Sequence, residues 1–502
     1  MMAGRRRVPW LLFLMFQGLY ALTSSGNAFR VPDEFEVYYQ AEHLVDSGDL
    51  SIPQAVSSGR FFGRLGLEGK PYAPYGPLSA VLAVPHHVLA RGVASIAGIP
   101  RESIAWTFVV SGLTMLTTST AAALAVVGFH RAALLVGAPP PIALLLSLML
   151  GGASVLWTYG TSLYSEGWQA AMFIWAAVCL LERRIVLASV LLALAGLTKV
   201  TSVVFMPGFL AAVMADRSMP LHTRVRAIAV LGAGVAAAVG IHLAWNSYRF
   251  GDMFEFGYDW SETVAQLPAR PFFLSGLPHG LATLLLSPGK SILLWAPVLV
   301  LGASRLRTCP RPMLIGLGTT AGCGLIFYGA YLFPEGGYAH GPRHLVPMVP
   351  LLLLPAAIPG APWRRGLVTA CAAVGFTIAL LSVSVSFLQD QALGNDFQRV
   401  GYYERIDPPP GRAWNRYRLD YVPFIRTVTS SDWPMSQRVG AGIDFFPLHL
   451  MRARAAIPDA QTIPWWLPSV LLLCAGALSI GSAIALWRVT HEARSGGSGE
   501  IE

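Results

Sequence analysis

The chain has 502 residues, of which 54% are hydrophobic and only 13% charged, with a formal net charge of +9. Soluble domains carry roughly 25% charged residues, so an ordinary water-facing surface is excluded and the composition specifies an all-α polytopic membrane protein. The basic residues fall in short clusters between apolar runs and form no aromatic-interleaved face, which excludes nucleic acid as a partner and makes them a topology signal.

In chain order, "MMAGRRRVPWLLFLMFQGLYALTSSGNA" has the basic head, apolar middle and small closing residues of a secretory signal, but the many later apolar runs favour an uncleaved first helix. A span needs about 20 mostly apolar residues. Spans are expected near 8–25, 104–128, 134–157, 168–181, 185–200, 202–215, 225–245, 291–305, 312–333, 345–359, 366–388 and 467–488. Segment 77–99 is interrupted by Pro85, His86, His87 and Arg91, and intramembrane charge is expensive. If it lies along the interface, Arg131, Arg183-Arg184, Arg217/Arg224/Arg226, Arg305/Arg307/Arg311 and Arg364-Arg365 fall on the same side as Arg5-Arg6-Arg7. If it spans, every later cluster changes side. The positive-inside rule therefore selects about 12 spans with both termini cytoplasmic. A catalytic transmembrane module is expected over 1–389, with 26–103 an external loop of juxtamembrane helices. An extracytoplasmic loop or small subdomain over 390–466, a last span at 467–488 and a disordered tail at 489–502 complete the chain.

Five cysteines lie in or beside apolar stretches, without the spacing of a disulfide framework or a metal site. His86-His87 is no ligand pair either, because helical ligands need i, i+4 spacing to share a face. His340 and His344 leave a divalent cation open as an alternative to a reaction that needs no cofactor.

"RVPDEFEVYYQAEHLVDSGDL" (30–50) follows the first span and gathers Asp33, Glu34 and Glu36 at its mouth. Pro32 suits the first position of a helix, Phe35, Tyr38, Ala41 and Val45 follow at near-helical spacing, and Gly48 can end the run. Acids in a first turn complement the helix dipole, which is the structural reading of Asp33 and Glu34. Lone cations at a membrane boundary are likewise often snorkelling anchors, and Trp245, Tyr248 and Phe250 have the makings of an interfacial aromatic belt.

The same stretch, an acidic pair just after the first span followed by Tyr38-Tyr39, Ala41, Leu44 and Gly48, resembles the first external loop of GT-C glycosyltransferases. The likeness is to the protein O-mannosyltransferase and aminoarabinose-transferase type (glycosyltransferase family 39-like). It continues in "EGKPYAPYGPLSAVL" (68–82), "TSLYSEGW" with Glu166, "ALAGLTKVTSV" with Lys199 and "HGPRHLVPMVPLLLL" with Arg343; "WNSYRFGDMFEFGY" and "SPGKSILLWAP" look like stretches common in bacterial members. The motifs cover most of residues 1–389. Many relatives carry Tyr where this chain has His344.

What the resemblance implies is transfer of a sugar from a polyprenyl phosphate-linked donor to an acceptor hydroxyl of a glycan, lipid or protein, at the outer face of the plasma membrane. By family position Asp33 is the candidate general base, with Glu34 orienting the acceptor or substituting for it. Lys70, Arg343, Lys199 and Lys290 are the candidate donor-phosphate ligands. Glu166, Tyr72, Tyr75, Asn246, Arg249 and His344 are candidates for substrate binding. The alternative is a transporter or flippase of lipid-linked sugars, or a non-catalytic subunit of an envelope-polysaccharide assembly. A flippase needs polar sites open to both faces, whereas this sequence concentrates them on one.

Overall fold

A computed structural model describes residues 2–26, 28–59, 61–257, 274–331, 333–334, 336, 339–384 and 445–495, with 2–6 and 491–495 described through their backbone. Among the described residues the one sheet is an antiparallel hairpin of Arg64–Leu65 with Pro71–Tyr72, in which Arg64 faces Tyr72 and Leu65 faces Pro71. Nearly all else is helix, and the protein is an all-α membrane protein. Among the described residues six helices are long and apolar enough to cross a bilayer: Pro77–Ile96, Ile104–Leu135, Leu221–Phe250, Arg311–Gly329, Arg365–Ser384 and Trp466–Thr490. Shorter apolar helices, among them Pro140–Gly152, Glu166–Leu181, Ile185–Thr198, Val200–Ala215 and Arg343–Ala357, fill the bundle between them. The last long helix carries exposed Trp466 and Trp487. Their 21-residue separation is about 31 Å of helix rise, close to the roughly 30 Å of a hydrocarbon core whose two interfaces attract tryptophan.

The bundle has two chemically different ends. At one end Arg131 pairs with Glu182 at 2.7 Å and Arg183 with Asp216 at 2.7 Å, while Arg305 donates to the Ala361 carbonyl and lies 4.9 Å over the Trp363 ring. Gly137 and Pro359 join the two groups, since a Cβ at Gly137 would lie 3.5 Å from Pro359 Cγ. The basic clusters therefore gather together. At the other end Trp157 Nε1 donates to Thr23 Oγ1 at 2.9 Å and the Tyr159 hydroxyl to the His340 carbonyl at 3.0 Å.

Helix Pro77–Ile96 keeps to this second end. Ser79 Oγ donates to the Thr198 carbonyl, Thr117 Oγ1 to the Leu82 carbonyl, and Arg91 pairs with Asp46. It runs on through Pro85. A second apolar cluster, with Tyr38, Ala90, Trp106, Val109, Phe446 and Leu450, caps the same end.

Several spans differ from expectation where proline and glycine intervene. The 104–128 run continues as one 32-residue stretch to Leu135 through a joint at Met115. The 134–157 run contracts to Pro140–Gly152, between a left-handed Gly137 and the Gly151-Gly152 pair. The 291–305 run is cut into Ile292–Trp295 and Leu299–Ala303 around Pro297, which lacks the amide a continuous helix needs. It is preceded by a helix, Leu277–Leu286, that the pattern did not suggest. Pro347, Pro350 and Pro355 make 343–357 a mixture of 3-10 and α turns. The last helix runs to Ser495, so 489–495 is helical where disorder is expected; Glu492, Ala493 and Arg494 are helix formers. Of the expected 390–466 subdomain, 390–444 lies outside the described residues, and 445–466 holds the short helix Phe446–Ala456.

The first and last helices, Met2–Thr23 and Trp466–Ser495, meet backbone to backbone. A Cβ at Gly18 would lie 2.6 Å from Ser479 N and 2.7 Å from Ala475 O. Small residues four apart let helix backbones approach where no hydrophobic force drives them together. Gly18→Leu should therefore lower the melting temperature in detergent, by an amount corresponding to about 1–3 kcal/mol. Gly476→Leu, where a Cβ meets nothing within 4 Å, should leave it unchanged. Equal melting of the two variants contradicts this packing.

Candidate functional site

Helix Pro32–Ser47 opens after an extended Val31, with Pro32 in its first turn, and closes on a left-handed Gly48 whose N–H donates to the Leu44 carbonyl at 3.1 Å. The three acids of its first turns go to three different partners. Asp33 accepts from Arg343 Nη2. Glu34, fully buried, is held bidentately by Arg30 and also accepts the Leu163 N–H at 3.1 Å. Glu36, equally buried, accepts the N–H groups of Phe62 at 2.8 Å and Gly63 at 3.2 Å. Glu34 and Glu36 thus pin loops, and Asp33 alone of the three lines a cleft.

Arg343 is delivered by the loop 339–342. Gly341 is left-handed and packs against Trp295, where a Cβ would come within 2.8 Å of the ring, so only glycine fits. Lys290 Nζ donates to the Ala339 carbonyl at 2.6 Å and Tyr159 to that of His340, fixing the loop from both sides. The Arg343 guanidinium reaches Asp33 with Nη2 and Glu166 Oε1 with Nε at 3.0 Å, and lies flat over Tyr164, 4.0 Å from its centroid. Lys199 interrupts the helices Ile185–Thr198 and Val200–Phe205 in extended conformation and places Nζ 2.8 Å from the same Glu166 oxygen. The result is a chain of alternating charge, Asp33, Arg343, Glu166, Lys199, with Glu166 1% and Arg343 9% exposed by side chain.

The cleft above this chain has a volume of about 80 Å³. Of the residues expected from sequence, Asp33, Tyr75, Lys199, Asn246, Arg249 and Arg343 line it, and Glu166 lies behind Arg343 and Lys199. Arg249 donates to Asn246 Oδ1 at 2.7 Å and to the Ala73 carbonyl, which ties the 73–76 loop to the end of helix Leu221–Phe250. Five expected residues stand outside the lining. Glu34 is in its internal pair. Lys70 projects from the hairpin to Asp49 at 3.4 Å with its side chain 44% exposed. Lys290 holds the loop, and Tyr72 packs edge-on against Trp245 and Phe250 at 6.0 and 6.2 Å. His344 stacks on Tyr328, with ring centroids 4.3 Å apart. Sequence reasoning missed Tyr164 and His242, both cleft-lining; Tyr164 stood two residues before Glu166 in a motif already singled out. Among the described residues no three His, Cys, Asp or Glu side chains come close enough to hold a metal ion.

Burial pushes the Glu36 carboxyl up to about 8, with Asp33 adding to the rise, while the Phe62 and Gly63 amides pull the other way without cancelling it. The folded state therefore holds a proton that the unfolded chain, at 4.5, gives up. Stability should fall as pH rises from about 5 to 8, by on the order of a few kcal/mol. Glu36→Gln keeps an oxygen for the Phe62 amide and should flatten that slope in detergent melts; a slope that survives the substitution contradicts the assignment. Comparison with protein-family models, curated proteins and solved structures gives no match for this chain.

Proposed function

We propose that the protein is an integral-membrane glycosyltransferase of GT-C type that moves a sugar from a polyprenyl phosphate to an acceptor hydroxyl. One observation carries the reading. Side chains from Asp33 to Arg343, separated by up to 310 positions and singled out by residue type and by the family resemblance, converge on one cleft that combines an accessible carboxylate with three cations. Asp33 takes the proton of the acceptor hydroxyl, and the oxygen attacks the anomeric carbon on the face away from the phosphate. The sugar–phosphate bond breaks with inversion, and the charge that develops on the departing polyprenyl phosphate meets Arg343 and Lys199. Arginine offers phosphate a two-pronged donor and lysine a point charge. Tyr75 and Asn246 are the sugar-facing groups of the lining.

The topology supports the same reading. The chain passes repeatedly between a basic end and the cleft end; counting the short helices as crossings, we read about 12 passes, with a juxtamembrane course for Pro77–Ile96. By the positive-inside rule the basic end is cytoplasmic and the cleft faces outward. A transporter needs polar access from both ends. The groove near the basic end, about 200 Å³, is lined mainly by apolar side chains such as Leu180, Phe209, Val213 and Leu317, with Arg183 and Asp216 paired at its rim; it suits lipid rather than sugar.

Purified protein supplied with labelled polyprenyl phosphate sugars and extracts of envelope acceptors should transfer label. Asp33→Asn should reduce the rate by about 10²–10⁴-fold, with the elution profile unchanged. Translocation of lipid-linked sugar without transfer, or full transfer by Asp33→Asn, contradicts the proposal.

A further inference from the structure

The carboxylate that must accept a proton and the guanidinium that must meet a phosphate are bonded to each other at the cleft wall. That contact withholds both. An oxygen of Asp33 already accepts from Arg343 Nη2, so the carboxylate competes with a phosphate for that edge of the guanidinium. The rest of the Arg343 environment does not need Asp33: Nε is held by Glu166 at 3.0 Å and the guanidinium plane rests on Tyr164 at 4.0 Å. Asp33 is the more solvent-open partner, 28% exposed against 1% for Glu166.

We propose that the Asp33–Arg343 contact is a latch opened by the ligand's own phosphate. This rests on the reading that the cleft takes a prenyl phosphate. An arriving phosphate oxygen replaces the Asp33 carboxylate at Nη2, so one anion is exchanged for another and Arg343 stays put. Glu166 and Tyr164 act as positioning residues, since they hold the guanidinium through the exchange. Asp33 is released as a proton acceptor only when a donor is present, which keeps the acceptor hydroxyl inactive in a cleft without phosphate. Lys199, tied to the same Glu166 oxygen at 2.8 Å, anchors Glu166 and with it Arg343 during the exchange.

The latch makes a prediction opposite to that of an ordinary lining residue. Because the carboxylate competes with the ligand for Arg343, removing its charge should strengthen binding. The probe is farnesyl methyl phosphate, a prenyl phosphodiester without the second ionisation that a phosphate monoester has near pH 6, titrated into protein in detergent by calorimetry. Asp33→Asn is expected to bind it about tenfold more tightly than wild type, and Glu166→Gln more weakly. Affinity for Asp33→Asn that is unchanged or reduced overturns the latch and leaves the proposed function standing. No binding by wild type or by Asp33→Asn overturns both. Should Asp33→Asn fail to fold, a structure of the wild-type protein with the probe decides: phosphate on Arg343 Nη2 with Asp33 released supports the latch, and an intact Asp33–Arg343 contact beside bound probe refutes it.

Discussion

The structure depends on the burial of one guanidinium. Arg343 sits 9% exposed between two carboxylates and on an aromatic ring, at a depth where an unpaired charge costs several kcal/mol. Buried ion pairs of this kind add little net stability compared with apolar packing, while loss of one partner is costly. An arrangement so expensive, assembled from helix Pro32–Ser47, the start of Glu166–Leu181 and the 339–342 loop, is better explained by what the charges do to a ligand than by what they do for the fold. Lys199 completes the charge balance: two carboxylates, Asp33 and Glu166, offset two cations, Arg343 and Lys199, and Arg249 leaves the cleft with a net positive charge.

The apolar bundle supplies the rigidity that this arrangement needs. Each charged group sits at a helix end or a helix interruption, where the backbone can turn a side chain inward. Asp33 occupies a first turn, Glu166 another, and Lys199 an extended joint between two helices. Proline and glycine set these positions. Pro32 starts the acidic helix, Gly341 lets the Arg343 loop pass against Trp295, and Gly66 meets the Arg249 carbonyl so closely that a Cβ would not fit. The same residues that shorten the helices therefore create the site.

This is also why the sequence revealed some parts and concealed others. The helical class, the helix Pro32–Ser47 with its Gly48 cap and the gathering of basic clusters at one end follow from hydropathy, capping residues and charge, which are local signals. Six of the expected site residues line the cleft: Asp33 comes from the family resemblance, while Lys199 and Arg343 are polar groups isolated in apolar or Gly/Pro-rich surroundings, a pattern visible without coordinates. Lys70 and Tyr72 have the same pattern, yet the Arg64–Leu65 and Pro71–Tyr72 hairpin turns them toward Asp49 and Trp245. That short pairing leaves no periodicity to read. Glu34 and Glu36 differ from Asp33 only in where their partners, Arg30 and the Phe62–Gly63 amides, lie in space. Tyr164 is an ordinary buried aromatic until Arg343 is seen to rest on it.

The account as a whole requires that the cleft and the basic clusters face opposite sides of a membrane. Single cysteines introduced as Ser165→Cys in the cleft and Ser218→Cys beside the Arg183–Asp216 pair, with the five native cysteines replaced, report this directly with a membrane-impermeant maleimide. Right-side-out vesicles should label position 165 and spare 218 until they are lysed. Labelling of 218 but not 165 from outside, or of both, contradicts it.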